Sequence, residues 1–319
     1  MVFFNKIGII GAGSYGTAIA QCFSKKTKEV LLVSDTEIIT SNINDLHMNL
    51  TVLSGVSLNT NISCTNVFSQ VKNSDLVVVA VPMLAVSSVF RQIKEERIEV
   101  PIVFCSKGFD VENGRLQSDL FETILNNDYV ILSGPSFAME IAQGLPAEVN
   151  VASKNSELSR KIAASLSSTV FKITAIDDYI GLQVAGALKN VLAIGCGILS
   201  GLNLGNNAVA KLIVEGLHEM SDLTISLGGK KETFFEAGGM GDVILTCTSR
   251  QSRNVLFGEH LAHGGTLDNW NGRLVEGIST AGIIPIFEQS RGVKMKIFSE
   301  IYKVIHEKKS SFEIISEII

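Results

Sequence analysis

The sequence predicts an α/β domain at the amino terminus followed by an all-α domain at the carboxy terminus. In the first half of the chain, short apolar runs rich in β-branched residues alternate with helix-like segments, which is typical of a parallel sheet with helices on both faces. After about Asp178 the strand-like runs stop and helical periodicity dominates. We therefore place the two domains at residues 1–180 and 181–319.

The strands are predicted from near-continuous apolar runs, as expected for strands that are buried on both faces. They span Lys6–Ile10, Val30–Val33, Leu76–Val81, Ile102–Cys105, Tyr129–Leu132 and Val149–Ala152. The helices between them are predicted at Tyr15–Ser24, Met83–Glu96, Arg115–Leu125 and Ser156–Ser168. The alternation of the two kinds of segment predicts an open sheet of parallel strands.

Four helices are predicted in the second domain, at Gln183–Leu199, Ala208–Leu227, Arg253–Ala262 and Phe298–Glu307. The apolar stretch from Ala185 to Leu204 has the length of a membrane span. It contains Lys189 and Asn190, however, and charged or amide groups in mid-span are costly in lipid. We therefore expect a buried helix and no membrane insertion.

Composition restricts the class of protein. Apolar residues make up 46% of the 319 residues and charged residues only 18%, which indicates a large core and argues against disorder. The formal net charge of −5 offers little attraction to nucleic acid or to an anionic membrane. A small anionic substrate can still be held by local basic residues.

The cysteines and histidines point away from disulfide and metal chemistry. The five cysteines are scattered, odd in number and never paired as Cys-x-x-Cys, which indicates free thiols in a reducing cytoplasm. Cys196 and Cys247 are expected to be packing thiols. The five histidines show no metal-binding spacing, so no metal site is predicted.

A glycine-rich turn, Gly11-Ala12-Gly13-Ser14-Tyr15-Gly16, follows the first predicted strand and opens the first predicted helix. In a dinucleotide-binding Rossmann domain the first glycine allows a tight turn, the second lets backbone approach the pyrophosphate, and the third permits close packing of helix and strand. The helix N-terminus adds free N–H groups and a partial positive charge. A glycine turn without a ligand is the alternative, but the strand–turn–helix context favours a nicotinamide-cofactor site.

Asp35 follows the second predicted strand of this unit. A carboxylate at this place accepts hydrogen bonds from the adenosine ribose hydroxyls and repels a 2′-phosphate. The prediction is a preference for NAD over NADP, with a solvated surface acid as the alternative.

Further short motifs are specific in their order and spacing, although none is decisive alone. They are Gly11 to Thr17, Val77 to Pro82, Ser106-Lys107-Gly108, Ser133 to Ala138, Ala187 to Val191, Gly239 to Asp242, Leu245 to Ser249, Ser252-Arg253-Asn254 and Val275-Glu276-Gly277. Together they resemble the NAD(P)-dependent glycerol-3-phosphate dehydrogenase family, bacterial type, over nearly the whole chain. The resemblance implies a Rossmann domain, an α-helical domain and a homodimer.

The resemblance also implies roles for single residues, and Lys189 matches the catalytic lysine. The positions that match substrate contacts are Lys107, Gly134, Ser136, Lys189, Asp242, Ser252, Arg253 and Asn254. The positions that match cofactor contacts are Ser14, Tyr15, Lys107, Ala138, Arg253, Leu274 and Glu276, in addition to Gly11, Gly13, Gly16 and Asp35 from the glycine-loop pattern.

Two departures from the family pattern concern the cofactor. Tyr15 stands where bacterial members often have tryptophan, which keeps an aromatic face. The stretch Val33-Ser34-Asp35 lies where many members show Trp-x-Arg. This second departure puts the usual NADPH preference in doubt and supports NAD.

Interconversion of a secondary alcohol and a ketone by hydride transfer needs a group that gives or takes a proton at the oxygen. Lys189 is the candidate because it interrupts an apolar segment. Burial and a second cation such as Lys107 lower the pKa of a lysine towards neutrality. A lysine on the wet face of an amphipathic helix is the alternative.

Asp242 and Arg253 complete the predicted site. Asp242 follows a glycine-rich turn, where it can orient Lys189 or a substrate hydroxyl, or simply cap a helix. Arg253 offers a planar fork to a phosphate, with Ser252 and Asn254 as neutral donors near a helix start. The alternative is a surface arginine beside a serine cap.

The predicted reaction is the reversible oxidation of sn-glycerol 3-phosphate to dihydroxyacetone phosphate with NAD or NADP, which supplies glycerol 3-phosphate for phospholipid synthesis. The substrate follows from the resemblance, whereas the dinucleotide site and the hydride chemistry follow largely from the residues. The alternatives are another two-domain dehydrogenase, such as a hydroxyacid or nucleotide-sugar enzyme, a non-catalytic NAD-sensing module, and a methyltransferase that uses S-adenosylmethionine.

Overall fold

The computed structural model describes residues 4–314, and the chain divides into two compact units. The first unit contains the described residues up to Ser106 together with Leu120–Tyr179. The second contains Lys107–Asp119 together with the described residues from Ile180 onward. A short segment that lies before residue 180 in the chain therefore belongs with the helical unit.

One eight-stranded sheet forms the first unit. Its strands are β1 (Lys6–Ile10), β2 (Glu29–Val33), β3 (Ile62–Thr65), β4 (Leu76–Val79), β5 (Ile102–Phe104), β6 (Tyr129–Ser133), β7 (Ala147–Ala152) and β8 (Phe171–Ile176). Their order is β3-β2-β1-β4-β5-β6-β7-β8. Neighbouring strands are parallel except β6 and β7, which pair antiparallel with Leu132 opposite Val151. The sheet is thus mainly parallel, as predicted, with one antiparallel step that the sequence pattern does not predict.

Helices cover both faces of the sheet. In chain order they are α1 (Ser14–Ser24), α2 (Glu37–Leu46), α3 (Met83–Glu95), α4 (Gln117–Ile124), α5 (Ala138–Ala142) and α6 (Ser156–Leu166). On β5, Val103 belongs to the apolar core that includes Phe23 of α1 and Ile162 of α6. The next residue, Phe104, contacts Phe90 of α3, with ring centroids 5.2 Å apart. Because successive side chains of a strand point to opposite faces, α3 lies on the face opposite α1 and α6.

The strands that the sequence does not predict, β3 and β8, are the two edges of the sheet. In β8, exposed Lys172 lies between buried Phe171 and Ile173. Edge strands of this kind alternate between polar and apolar residues and lack the continuous apolar run of an inner strand. Two helices are also unpredicted, because α2 buries only Ile39 and Ile43 and α5 is five residues long.

The second unit is helical, and no strand follows β8 within residues 4–314. Its helices are α7 (Tyr179–Gly201), α8 (Asn206–Ser226), α9 (Asp242–Thr248), α10 (Arg253–Ala262), α11 (Glu276–Ala281), α12 (Ile284–Arg291) and α13 (Lys296–His306). All four predicted helices form. The unpredicted helices α9, α11 and α12 have six to eight residues, which is too short for a clear helical period.

Helix α7 runs through the core of the second unit, and every residue from Gly181 to Leu199 is buried. Among residues 4–314 it is the one helix long and apolar enough to cross a membrane, and its apolar window is completely buried within the protein. The expected buried helix is therefore confirmed. A Cβ on Gly197 of α7 would lie 2.1 Å from the carbonyl oxygen of Val255, so α7 and α10 meet backbone to backbone.

Candidate active site

A buried cluster of charged groups lies in the second unit. The ammonium of Lys189, midway along α7, donates hydrogen bonds to Oδ1 of Asp242 and, at 2.9 Å, to Oγ1 of Thr246. Lys107 donates to the other carboxylate oxygen, Oδ2 of Asp242, at 2.8 Å. One carboxylate therefore bridges two ammonium groups. We call Lys107, Lys189, Asp242 and Thr246 the lysine–aspartate cluster.

Local sequence explains how α9 contributes two members of this cluster. Asp242 and Thr246 are four residues apart, so both side chains lie on the same face of α9. A glycine-rich π-turn, Ala237–Gly241, precedes the helix, and a Cβ on Gly239 would lie 2.2 Å from the carbonyl oxygen of Thr233. The close approach at Gly239 lets the chain turn tightly before it presents Asp242 to α7.

Burial sets the electrostatics of the cluster. Lys189 is 5% exposed and Asp242 is 1% exposed, so the structure does not support the alternative of a lysine on the wet face of a helix. Charges removed from water at this depth persist only when they are paired and hydrogen-bonded. The bridging geometry of Asp242 supplies that pairing to both lysines.

The pKa values of the three charged groups separate for identifiable reasons. Burial lowers the pKa of Lys189, and with the added repulsion of Lys107 it outweighs the attraction of Asp242, so that the pKa falls to about 8. Burial also opposes the charge of Lys107, but Asp242 raises its pKa above the ordinary lysine value. The two ammonium groups hold the pKa of Asp242 below its ordinary value against the opposing effect of burial. Lys189 is thus the member of the cluster that is closest to exchanging a proton near neutral pH.

A second buried network adjoins Lys189 on α7. Nδ2 of Asn254 donates to Oδ1 of Asn190 at 3.0 Å, and the backbone N–H of Gly277 donates to Oδ1 of Asn254 at 3.1 Å. This network fixes the start of α11, where Glu276 is close enough to Lys107 to contribute to raising its pKa. Asn254, a predicted substrate position, therefore contacts α7, the helix of Lys189. The same side chain binds Gly277, the residue after the predicted cofactor position Glu276.

Ser252 and Arg253 stand at the start of α10. The Ser252 hydroxyl is the N-cap of the helix, where it accepts a hydrogen bond from the backbone N–H of Val255 at 3.4 Å. Arg253 is exposed at the first helical position. The serine cap of the alternative interpretation is therefore present, and the phosphate-binding role of both residues stays a prediction.

The glycine loop of the first unit has the geometry that a dinucleotide site requires. Gly11 has φ +107°, and its Cβ would lie 2.7 Å from the carbonyl oxygen of Ala80, so only glycine fits there. A Cβ on Gly16 would lie 1.9 Å from the carbonyl oxygen of Gly11. Beside Gly13, by contrast, a Cβ would meet no atom within 4 Å. The loop is closed on its protein side and open at its middle glycine, where backbone can approach a phosphate.

Four other predicted positions of the first unit lie close in structure. The hydroxyl of Tyr15 and Oγ of Ser136 are within hydrogen-bonding distance at 3.1 Å, and Ser136 donates to the carbonyl oxygen of Gly134 at 2.9 Å. Ala138 begins α5 two residues later. The residues matched to substrate contacts and those matched to cofactor contacts in this unit are therefore neighbours.

Asp35 lies just beyond the carboxyl end of β2 and is exposed. Its Oδ1 accepts a hydrogen bond from the hydroxyl of Thr36 at 3.0 Å. The carboxylate is thus accessible at the end of the strand next to β1, the position where a Rossmann domain reads the adenosine ribose. Leu274, the predicted cofactor contact in the second unit, is also exposed.

Thr246 is the member of the cluster that the sequence does not predict. A threonine inside an apolar helical segment is common, and its type alone carries no functional signal. The one signal in the sequence is its spacing of one helical turn from Asp242, which places both side chains on the same helix face.

The cysteines and the residue types that bind metals are the remaining candidate groups. All five cysteines are free and buried, and Sγ of Cys247 lies 3.9 Å from the carbonyl oxygen of Lys189. Within residues 4–314, no cluster of three or more histidine, cysteine, aspartate or glutamate side chains is arranged to hold a metal ion.

Comparison with known proteins gives one consistent result. The chain matches the N-terminal part of NAD-dependent glycerol-3-phosphate dehydrogenase over residues 6–159 and its C-terminal part over residues 178–316. It is 38% identical to the glycerol-3-phosphate dehydrogenase (NAD(P)+) of Ehrlichia ruminantium strain Welgevonden, with 98% of this chain and 99% of that one covered. The corresponding protein of Leptospira biflexa is 36% identical, with 97% and 96% covered.

A solved structure shows the same similarity in three dimensions. The crystal structure of glycerol-3-phosphate dehydrogenase from Coxiella burnetii is similar to this chain with a TM-score of 0.93 and 31% sequence identity, and 98% of each chain is covered. The similarity therefore extends through both units.

Proposed function

The chain belongs to the NAD-dependent glycerol-3-phosphate dehydrogenase family, and we propose that Lys189 exchanges the proton with the substrate oxygen in its reaction. The protein is an oxidoreductase that interconverts sn-glycerol 3-phosphate and dihydroxyacetone phosphate with a nicotinamide dinucleotide. The observation that supports the role of Lys189 most strongly is its buried ammonium, bound to Asp242 and Thr246. The same buried lysine disfavours a non-catalytic NAD-sensing module.

The first unit is proposed to bind the dinucleotide through its glycine loop. Gly11, Gly13 and Gly16 fit the pyrophosphate because the loop is open beside Gly13 and tightly closed elsewhere. Ser14 and Tyr15 occupy the first turn of α1, where helix N–H groups favour an anion. The bound nicotinamide supplies the hydride to the substrate carbon, or accepts it in the reverse direction.

Lys189 is proposed to act as general acid in reduction and as general base in oxidation. In reduction its ammonium donates a proton to the oxygen of dihydroxyacetone phosphate as that oxygen gains negative charge. In oxidation its neutral amine takes the hydroxyl proton of glycerol 3-phosphate. A pKa of about 8 makes both forms accessible close to neutral pH, which is the condition for efficient proton transfer in both directions.

Asp242 and Thr246 are proposed to orient the Lys189 ammonium for this proton transfer. A lysine ammonium has three N–H groups, and in the described structure Asp242 and Thr246 accept from Lys189. The remaining N–H direction is then set by the two bonds, and it is this one that we assign to the substrate oxygen. Lys107, held by the same carboxylate, is proposed to contact both substrate and cofactor.

The phosphate of the substrate is proposed to bind at the start of α10. Arg253 is exposed there and offers two parallel N–H groups to a phosphate, and the N-terminus of a ten-residue helix adds a partial positive charge. Ser252 and Asn254 are proposed as neutral donors beside it, and Gly134 and Ser136 as contacts from the first unit. The proposed cofactor contacts outside the glycine loop are Lys107, Ala138, Arg253, Leu274 and Glu276.

NAD is proposed as the preferred cofactor. Asp35 is an exposed carboxylate at the end of β2, where it would accept hydrogen bonds from ribose hydroxyls and repel the 2′-phosphate of NADP. The proposal concerns preference alone, since either dinucleotide carries the same nicotinamide.

The experiment that tests the function measures reduction of dihydroxyacetone phosphate with NADH and with NADPH. We expect turnover with both and a KM for NADH at least about tenfold below that for NADPH, because the Asp35 carboxylate would repel the 2′-phosphate of NADPH, and a tenfold difference needs only about 1.4 kcal/mol. Asp35→Ser should reduce the difference, whereas Glu37→Gln, a control at the exposed acid two residues further on, should preserve it. A lower KM for NADPH in the unmodified protein would contradict the role given to Asp35, and lack of turnover with both would contradict the function.

The cellular setting is proposed from the family and the composition. We propose a cytoplasmic homodimer that supplies glycerol 3-phosphate for phospholipid synthesis. The free state of all five cysteines is consistent with a reducing compartment.

A further inference from the structure

The loop that follows α2 contacts the glycine loop through one buried side chain, Asn49. Asn49 is 0% exposed. Its Nδ2 donates to the carbonyl oxygen of Ala12 at 3.0 Å and to Oγ1 of Thr17 at 2.9 Å. Thr17 in turn donates to the same carbonyl oxygen at 3.3 Å. The carbonyl oxygen of Ala12, between the first two glycines of the loop, therefore accepts hydrogen bonds from two buried side chains.

This contact fixes the orientation of a peptide that the cofactor needs. In a planar trans peptide, C=O and N–H point in opposite directions. Because the Ala12 oxygen is hydrogen-bonded to the buried Asn49 side chain, the N–H of Gly13 points away from the protein interior. Gly13 is exposed, and the space beside it is open. A backbone N–H presented in this way is a donor for a phosphate oxygen.

The orientation of the Asn49 amide is determined by its surroundings. If the amide were flipped, Oδ1 would face the Ala12 carbonyl oxygen, and two acceptors would repel each other. In the present orientation both donors are used, and Oδ1 has no partner among residues 4–314. Asn49 therefore binds the Ala12 carbonyl at the cost of one buried acceptor without a partner among these residues. Because such an acceptor destabilises the fold, its presence indicates that Asn49 has a function besides stability.

The loop that carries Asn49 is itself firmly held. The backbone N–H of Leu53 donates to the carbonyl oxygen of Asn49 at 3.0 Å, and Ser14 of the glycine loop donates to the carbonyl oxygen of Val52 at 3.0 Å. On α1, Gln21 accepts from the N–H of Asn59 at 2.9 Å and donates to the carbonyl oxygen of Ser57 at 3.2 Å. Asn49 is therefore presented to the glycine loop from a structured support.

We propose that Asn49 is a positioning residue for cofactor binding, which orients the Ala12–Gly13 peptide so that its N–H meets the pyrophosphate. The proposal rests on the proposed dinucleotide site in the glycine loop and adds a residue outside it. Asn49 acts through the loop and does not itself touch the cofactor. Its effect should therefore be seen in cofactor affinity and not in the chemical step.

The test measures the dissociation constant for NADH in Asn49→Ala by fluorescence titration. Loss of the hydrogen bonds to Ala12 and Thr17 should raise this constant about tenfold, within the range expected for one or two hydrogen bonds. The constant for ADP-ribose, which contains the same pyrophosphate, should rise by the same factor. The kcat at saturating NADH and the KM for dihydroxyacetone phosphate should stay within about twofold of the unmodified protein, as expected when only ground-state cofactor binding is lost.

A matched control is Asn127→Ala. Asn127 also donates from its amide to two backbone carbonyl oxygens, those of Ile98 and Val100, both at 2.8 Å. It precedes β6, which runs parallel to β1, so it lies at the amino ends of these strands, opposite the carboxyl end of β1. Its loss should leave NADH affinity unchanged, which separates the effect of Asn49 from a general loosening of the first unit.

If Asn49→Ala does not fold, Thr17→Val decides the question, because valine has the shape of threonine and replaces Oγ1, which accepts from Asn49 and donates to Ala12, with a methyl group. It should raise the NADH dissociation constant about threefold, as for the loss of one of the two side-chain hydrogen bonds that hold the Ala12 carbonyl oxygen. An unchanged NADH constant in a folded variant, or an equal rise in Asn127→Ala, would overturn the proposal. Failure of the dinucleotide site itself would appear differently, as absence of NADH binding in the unmodified protein.

Discussion

Lys189 is the one charged side chain of α7, a largely apolar helix, and its surroundings decide what that charge can do. Burial favours the neutral amine, Lys107 reinforces this effect, and Asp242 opposes it. The balance places the pKa at about 8, well below that of an exposed lysine. Lys189 can therefore change its charge close to neutral pH, as the proposed proton exchange requires.

The pH dependence of the two directions follows from this pKa. Reduction needs the ammonium form, so its kcat/KM should fall as the pH rises through about 8. Oxidation needs the neutral amine, so its kcat/KM should rise through the same region. We call the falling profile of reduction and the rising profile of oxidation the two limbs. Initial rates in both directions across this pH range measure them.

Asp242→Asn provides the matched change for that measurement. Removing the carboxylate charge removes the attraction that stabilises the Lys189 ammonium, so the pKa of Lys189 should fall further and both limbs should move to lower pH. Asp268→Asn, which alters an exposed ion pair with Lys308, should leave the limbs in place. A profile that Asp242→Asn does not shift would show that another group controls the proton.

Residue type in the sequence predicts some members of this site and misses others. A lysine within an apolar segment has few purely structural explanations, which is why Lys189 is predictable. Thr246 is not, because a threonine in a helix needs no functional reason. Its hydrogen bond with the Lys189 ammonium depends on the packing of α9 against α7, which the sequence does not show.

At the scale of the elements, the inner strands are predicted and the edges are not. β1, β4 and β5 are buried on both faces and read as continuous apolar runs, whereas β8 exposes Lys172 at the edge. Short helices such as α9 and α11 offer less than two full turns of pattern. Predictability therefore follows the burial and the length of each element.

The crossing of α7 and α10 yields a stability prediction. A Cβ on Gly197 would lie 2.1 Å from the carbonyl oxygen of Val255, a backbone atom that cannot rotate away. Gly197→Ala should therefore destabilise the protein by about 1–3 kcal/mol, the usual cost of overpacking a core. Denaturant unfolding measures this loss.

The control for this prediction is Ser200→Ala on the same helix, since Ser200 is exposed. It should change the free energy of unfolding by less than about 0.5 kcal/mol, as is usual for a surface substitution. Equal stability of Gly197→Ala and Ser200→Ala would contradict the close backbone contact between α7 and α10.

At the scale of the whole molecule, each unit has its own core and its own part of the proposed function. One core packs around the sheet and the other around α7. The glycine loop belongs to the first unit, and the lysine–aspartate cluster belongs wholly to the second. The sequence predicts this division of labour from the change of pattern near residue 180. It does not predict that Lys107–Asp119 joins the helical unit, because that grouping depends on contacts distant in sequence.

The central claim is that Lys189 exchanges the proton at the substrate oxygen, and kinetics of Lys189→Met test it most directly. Methionine fills a similar buried volume without a charge. With NADH and dihydroxyacetone phosphate at saturation, kcat should fall by about a thousandfold or more, within the range for loss of a general acid, while the NADH dissociation constant stays within about twofold. A folded Lys189→Met protein that keeps kcat within about tenfold of the unmodified protein would contradict the claim.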